Sequence, residues 1–314
     1  MLKKYLKILF ACLLIFLLLY QVGVAELINE LSKISLAAVL YLVLISVLLI
    51  YISALKWKLF LEVFSHTVSV YKLFCLYLVG YFVNLLLPSY IGGDAVRSWQ
   101  IGKKVGQHQA LAATVLERYT GGLAMLSMAF IFMWLVSQIT WQIRLAVLLV
   151  CLAYFLLSLF VISPYLTGVL KFLRLPENLI KHAVKIRDAL NFARGNIRLF
   201  LSAMLLSYTF HIFTVVNVMA AAYAIGWYEA PFLDLVVVLP IILLIGSLPL
   251  TPSGLGLQEG AFFFFLQGLG ATPGEAVAVA VILRAKSYLL ALFGGVAWFF
   301  VRINPAQEVK IESM

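Results

Sequence analysis

The sequence predicts an all-α polytopic membrane protein of about six transmembrane helices plus two re-entrant helical hairpins, arranged as an inverted-topology repeat. Three observations carry this. Hydrophobic residues make up 64% of the 314 positions and charged residues only 11%, far from the balance of soluble domains. Six apolar runs reach or exceed the roughly 17–25 residues needed to cross a bilayer. Two further apolar segments are broken by Pro and Gly, hold charges, and share the pattern Pro-Ser-x-x-Gly followed by a carboxylate. Their prolines, Pro88 and Pro252, stand 164 positions apart, about half the chain.

The first run, 7–24, follows Lys3, Lys4 and Lys7 and ends at Gly23-Val24-Ala25. It reads either as a membrane helix or as a cleaved signal peptide; the repeat needs it as a helix. The second run is 34–55. The segment 70–98 contains Asn84, Pro88, Gly92, Gly93, Asp94 and Arg97. Such backbone is tolerated at membrane depth only where it is buried in protein or lines a wet cavity, so the segment reads as a hairpin that dips in and returns. Run 109–136 closes the first half. Runs 143–163 and 199–226, the broken segment 232–268 and run 276–301 repeat the order. The chain is thus one integral membrane domain over 1–314, with repeats at about 1–140 and 141–304 and a short polar tail at 305–314. Between the halves, 170–196 reads as a cytoplasmic amphipathic helix with Leu179, Ala183, Ile186 and Leu190 on one face. It is either a solvated connector or a lipid-surface anchor.

Lysine and arginine set the orientation. With both termini in the cytoplasm and both broken segments returning to their own side, nearly every cation falls inside, including Lys56, Lys58, Lys72, Arg97, Lys103 and Lys104. Only Lys33 and Arg144 fall outside. This is the positive-inside pattern, and it accounts for the net charge of +10 without nucleic acid. Cys12, Cys75 and Cys151 lie in apolar runs and read as small interior residues.

An ionised group at the bilayer centre costs roughly 2.5–3.5 kcal/mol on insertion scales. Asp94, Glu117, Arg118, Glu259, Arg284 and Lys286 therefore either pair and lock the halves together, or line a polar cavity. Three cations against three carboxylates allow complete pairing. Asp94 reads as a helix N-cap or as a substrate contact. Gly92-Gly93 and Gly254/Gly256 permit tight tips, and a helix starting after a tip aims its N–H groups at the midplane, which suits an anionic head group. Arg118 and Arg284 offer planar forks for phosphate, and Arg97 is expected near the cytoplasmic mouth. The Phe262–Phe265 run with Phe293, Phe299 and Phe300 reads as lipid-facing or packing bulk, or as a groove for lipid tails. His66, His108, His182 and His211 show no ligand spacing. There is no Walker loop, nucleophile elbow or zinc motif, so neither ATP nor a cofactor or metal is expected.

The ordered set N-x-x-x-P-x-x-x-G-G-D-x-x-R at Asn84–Arg97, Glu117-Arg118, P-x-G-L-G-x-x-E at Pro252–Glu259, and Arg284 resembles the lysylphosphatidylglycerol synthase transmembrane-region family, also called flippase-like. The resemblance covers nearly the whole chain. Ser253 stands where the family's pattern has glycine, and no proline follows Arg284 within its helix. The resemblance implies a multi-pass protein of a bacterial or archaeal cytoplasmic membrane that handles lipids. In the multiple peptide resistance factor this module is fused to a soluble aminoacyl transferase and flips the aminoacylated lipid; the present chain resembles the translocating part alone. Other members are linked to hopanoid or glycolipid handling. Three functions follow as expectations. The first is a flippase moving a polar-headed lipid, anionic, aminoacylated, glycosylated or polyprenyl-phosphate, by alternating access. The second is a membrane-embedded lipid-phosphate transferase. The third is a non-catalytic partner of a separately encoded lipid-modifying enzyme. For the flippase, Asp94, Glu117 and Glu259 are the candidate proton carriers.

Overall fold

The computed structural model describes residues 2–63, 67–86, 91–136, 139–174 and 176–300. Pro88, His66 and the 305–314 tail lie outside them. Among the described residues there are thirteen α-helices: α1 Leu2–Val22, α2 Val24–Ser32, α3 Leu36–Glu62, α4 Val70–Leu86, α5 Ile91–Val105, α6 Gln107–Phe132, α7 Trp141–Ile162, α8 Leu166–Phe172, α9 Glu177–Gly195, α10 Ile197–Ala224, α11 Phe232–Ser247, α12 Leu257–Gln267 and α13 Pro273–Phe300. A single 3₁₀ turn, Pro252–Gly254, precedes α12.

Five helices, α1, α3, α7, α10 and α13, are long and apolar enough to cross a membrane. The expected sixth span became α6, which has the length but carries Glu117 and Arg118 in its middle. Each broken segment became two short helices, α4 with α5 and α11 with α12. In the second segment the break falls where Pro249, Pro252, Gly254 and Gly256 interrupt the 3.6-residue pattern.

The helix pairings repeat in the two halves. Helix α4 packs along α13, and its counterpart α11 packs along α6. Helix α5 returns against α4 and α6, as α12 does against α11 and α13. The second long apolar helices of the two halves, α3 and α10, pack against each other. The α4–α13 approach depends on Gly294, where a Cβ would fall on the Leu78 carbonyl. Backbone cannot yield there as a flexible side chain would. Gly294→Val is therefore expected to lower membrane yield and thermal stability sharply. Gly168→Ala, with nothing within 4 Å of the added carbon, is the matched neutral control in a detergent-melting assay.

Four local outcomes differ from the sequence reading. Residues expected as an outer loop form α2, whose Leu27 joins the apolar core and whose Glu26 lies against Gly274 at the start of α13, where a carboxylate suits the helix dipole. The linker is two helices, parted at Arg174, which adopts φ 53. In α9 only part of the expected apolar face is covered: Leu190 is buried while Leu179 is exposed. Lys56, assigned to a cytoplasmic loop, lies inside α3, which continues seven residues past the expected end, and is only 4% exposed.

Candidate functional site

Two charge clusters occupy equivalent places in the two halves, one at the start of α5 and one at the start of α12. Both lie where short helices begin inside the protein, and each is completed by an arginine from the next long helix.

In the first half, Asn84 closes α4 and turns back to its hairpin partner. Its side-chain Oδ1 accepts the Gly93 N–H at 2.7 Å, satisfying a donor in the first turn of α5 that has no helical acceptor. Gly93 is needed for the approach, since a Cβ there would strike the Gly80 carbonyl of α4. Gly92 lies beside it in the same turn. Asp94 is thus not the N-cap. It sits inside α5, and its two oxygens accept from Arg118 Nε and Nη2, each at 2.7 Å, with Oδ1 also 3.1 Å from Arg97 Nε. Arg97 is 1% exposed and not at a mouth. Its Nη2 donates to Glu117 Oε2 at 2.7 Å. Its guanidinium carbon lies 4.0 Å from the Tyr77 ring centre and 4.5 Å from that of Trp57. Arg118 differs: its side chain is 61% exposed, held on one edge by Asp94 and open on the other.

The second half is closed. Gly254 and Gly256 adopt φ of 64 and 78, a region open to glycine without cost, and Pro252 starts the 3₁₀ turn. Ser253 has φ 49 where glycine would be unstrained. Glu259 Oε2 accepts the Gly256 N–H at 2.7 Å, capping its own helix, while Oε1 accepts from Arg284 Nε at 2.5 Å. The rest of the Arg284 guanidinium donates to the Ser253 carbonyl at 2.8 Å, the Gly254 carbonyl at 3.2 Å and Gln258 Oε1 at 3.3 Å. Arg284 is therefore a pin that ties α13 to the tip. The Gly256 position also faces Ala11 and Leu14 of α1, so the first helix covers this tip.

The tips meet. Ser253 Oγ donates to the Asn84 carbonyl at 2.6 Å, linking the two broken segments across 169 residues. A residue in the left-handed region costs about 1–2 kcal/mol, so the hydroxyl contact is held against backbone strain. Two substitutions separate the effects. Ser253→Ala removes the bond and keeps the strain, and is expected to lower melting temperature. Ser253→Gly removes both, and is expected to melt above the alanine variant.

The complete one-to-one pairing that the charge count allows does not form. Asp94 serves two arginines, and Lys286 makes no ion pair or hydrogen bond among the described residues. Lys56, Trp57, Tyr77 and Gln258 were not singled out as site residues. The signal for Lys56 was its register: Ser46, Ile50, Ser53, Lys56, Trp57 and Phe60, all buried, recur at the three- and four-residue spacing of one helix face. The phenylalanine run splits by the same rule, with Phe262 and Phe265 buried and Phe264 exposed. An apolar groove of about 450 Å³ lies instead between α3 and α4, lined by Leu44, Val47, Leu48, Tyr51, Tyr71 and Phe74.

The chain matches the family model described as the lysylphosphatidylglycerol synthase TM region over residues 5–295. It is 26% identical over 302 residues to a UPF0104 membrane protein of Methanothermobacter thermautotrophicus, covering 88% of each chain. It is 22% identical over 321 residues to UPF0104 membrane protein MJ1595 of Methanocaldococcus jannaschii, covering 96% of this chain and 95% of that protein. The match spans both broken segments, both arginine–carboxylate clusters and most of each of the five long apolar helices. This multi-pass membrane protein belongs to the lysylphosphatidylglycerol synthase transmembrane-region family.

Proposed function

We propose that the protein is a lipid flippase that moves an anionic-headed lipid across the cytoplasmic membrane by alternating access. In this reading the α4–α5 and α11–α12 pairs are re-entrant hairpins entering from opposite faces of an inverted repeat, and both termini are cytoplasmic. The positive-inside asymmetry of the sequence supports that orientation, and it survives the removal of Lys56 and Arg97 into the interior. Paired broken helices in two halves, meeting at mid-depth, are the arrangement by which secondary transporters build a substrate site.

The observation that carries the proposal is the inequality of the two arginines. Arg284 is spent on the tip of its own half, whereas Arg118 keeps an open edge beside Asp94. The head-group phosphate binds that edge, because a guanidinium fork matches phosphate geometry. The tail stays in lipid along the α3–α4 groove. Tyr71, Phe74 and Tyr77 follow one another at three-residue spacing on α4, so the groove wall leads to the ring that covers Arg97. The two halves then rock about the packed α3–α10 pair, and the tips part at the Ser253–Asn84 contact. The family name, which refers to a synthase of an aminoacylated lipid, agrees with a lipid as the cargo.

The test is a set of ATP-free proteoliposomes carrying quenchable probes with phosphatidylglycerol, aminoacyl-phosphatidylglycerol, glycolipid and polyprenyl-phosphate head groups. Faster movement of at least one anionic-headed probe than in empty vesicles is expected. Equal rates for every probe, with correctly folded protein, would remove the proposal.

A further inference from the structure

The cluster around Arg97 holds an unequal set of charges. Lys56, Arg97 and Arg118 are the cations; Asp94 and Glu117 are the carboxylates. Both carboxylates already hold guanidinium groups at 2.7 Å, and Glu259 holds Arg284. These acids are committed to arginines, and arginine does not release its proton in proteins. One positive charge is left over in an apolar surrounding, and it belongs to Lys56. A charge so placed is stabilised in one of two ways: an anion joins the cluster, or the proton leaves.

Lys56 lies where the halves meet. Its ammonium makes no ion pair among the described residues. Nζ donates to the hydroxyl of Ser207 on α10 at 3.2 Å and stands 5.9 Å from the ring centre of Phe210. From α6, Glu117, Arg118 and the bare backbone of Gly121 face it; a Cβ at Gly121 would sit 3.2 Å from Nζ. From α5 the facing charge is Arg97, and from α10 the facing titratable group is His211. The Gly121 carbonyl accepts from His211 Nε2 at 2.9 Å, which leaves Nδ1 of the same ring as a site that can take a proton. His211 stands one helical turn beyond Ser207 and lines a cavity of about 10 Å³ with Thr214, Val236 and Pro240, a space on the scale of one water. Pro240 lies inside α11 and has no N–H for the carbonyl four residues earlier, that of Val236. Lys56, Ser207, His211 and this cavity thus run from the first-half charge cluster into the second half.

We propose that Lys56 carries the proton that couples lipid movement to the proton gradient. The proposal rests on the flippase reading above. With the anionic head group at Arg118, Lys56 is protonated and the cluster is neutral overall. With the head group gone, Lys56 gives its proton to water by way of the Ser207 and His211 side, and the cluster is again neutral. One proton accompanies one negative charge, and no covalent bond of the lipid changes. Binding a single anion and a single proton together also spares the rocking step the cost of moving net charge through the bilayer. Asp94, Glu117 and Glu259 are then fixed partners of arginines and not the carriers.

The experiment uses the full chain in vesicles of phosphatidylethanolamine, phosphatidylglycerol and polyprenyl phosphate, with an entrapped pH dye and an imposed pH gradient. Wild type is expected to collapse the gradient faster than empty vesicles. Lys56→Arg keeps the cation but cannot release it, and is expected to fall to the empty-vesicle rate. Lys56→Met, a neutral side chain of similar length, is expected to do the same, which guards against a folding fault peculiar to arginine. Either variant matching wild type would overturn the proposal, as would wild type no faster than empty vesicles. In that last case, labelled-lipid exchange at equal pH separates the two ideas. Exchange that continues leaves an uncoupled flippase, and exchange that is also missing removes the flippase reading with it.

Discussion

Arg97→Met is expected to be the most damaging single change in the first half. It leaves Glu117 buried, with its 2.7 Å partner gone, and it strips the cation from between Tyr77 and Trp57. Breaking a buried ion pair by removing one member typically costs about 3–5 kcal/mol, whereas replacing both members with apolar groups is often neutral. Arg97→Met with Glu117→Leu should therefore recover much of the melting temperature that the single variant loses. A double variant no more stable than the single one would show that Arg97 acts by its stacking and its Asp94 contact, not by balancing Glu117.

Arg284→Ala should have an effect of similar size in the second half, by a different route. The arginine joins α13 to the tip by several bonds at once: two carbonyls, Gln258 and Glu259 all take its hydrogens. Its loss frees the tip and leaves Glu259 with only the Gly256 N–H. A large fall in melting temperature is expected, with loss of lipid movement as its consequence. Arg284→Lys should rescue little, because a single ammonium cannot span acceptors arranged for a planar fork. Full stability in the lysine variant would contradict the role of a pin.

How much of this was legible beforehand follows from what one-dimensional patterns encode. The long runs gave α1, α3, α7, α10 and α13 because lipid requires continuous apolar helix. The Pro- and Gly-containing segments marked where two short helices replace one long one, because those residues interrupt helix by their own covalent structure. The short α2 and the division of the linker at Arg174 were harder, since amphipathic pieces of nine residues or fewer carry little periodicity. Asp94, Glu117, Arg118, Glu259 and Arg284 stood out as charges in apolar surroundings, but their partners did not. Asn84 taking the capping role from Asp94, and Asp94 serving two arginines, depend on how α4, α5 and α6 meet in space. Lys56 was hidden for a similar reason: it follows the apolar run 34–55 directly, and only the contact with Ser207, 151 residues later, shows that α3 carries it inside. The unequal state of Arg118 and Arg284 is invisible in the sequence, where the two sit at nearly matching distances from their carboxylates.

The open edge of Arg118 is where the account is most exposed to test. The measurement is lipid-probe movement in proteoliposomes by wild type and Arg118→Gln, with melting temperature recorded for both. Asp94 keeps its Arg97 contact when Arg118 is replaced, so the variant should fold and melt below wild type but above Arg97→Met. The account predicts that its lipid movement nonetheless falls to the rate of empty vesicles. Wild-type movement in a folded Arg118→Gln protein would contradict it and place the head-group site elsewhere.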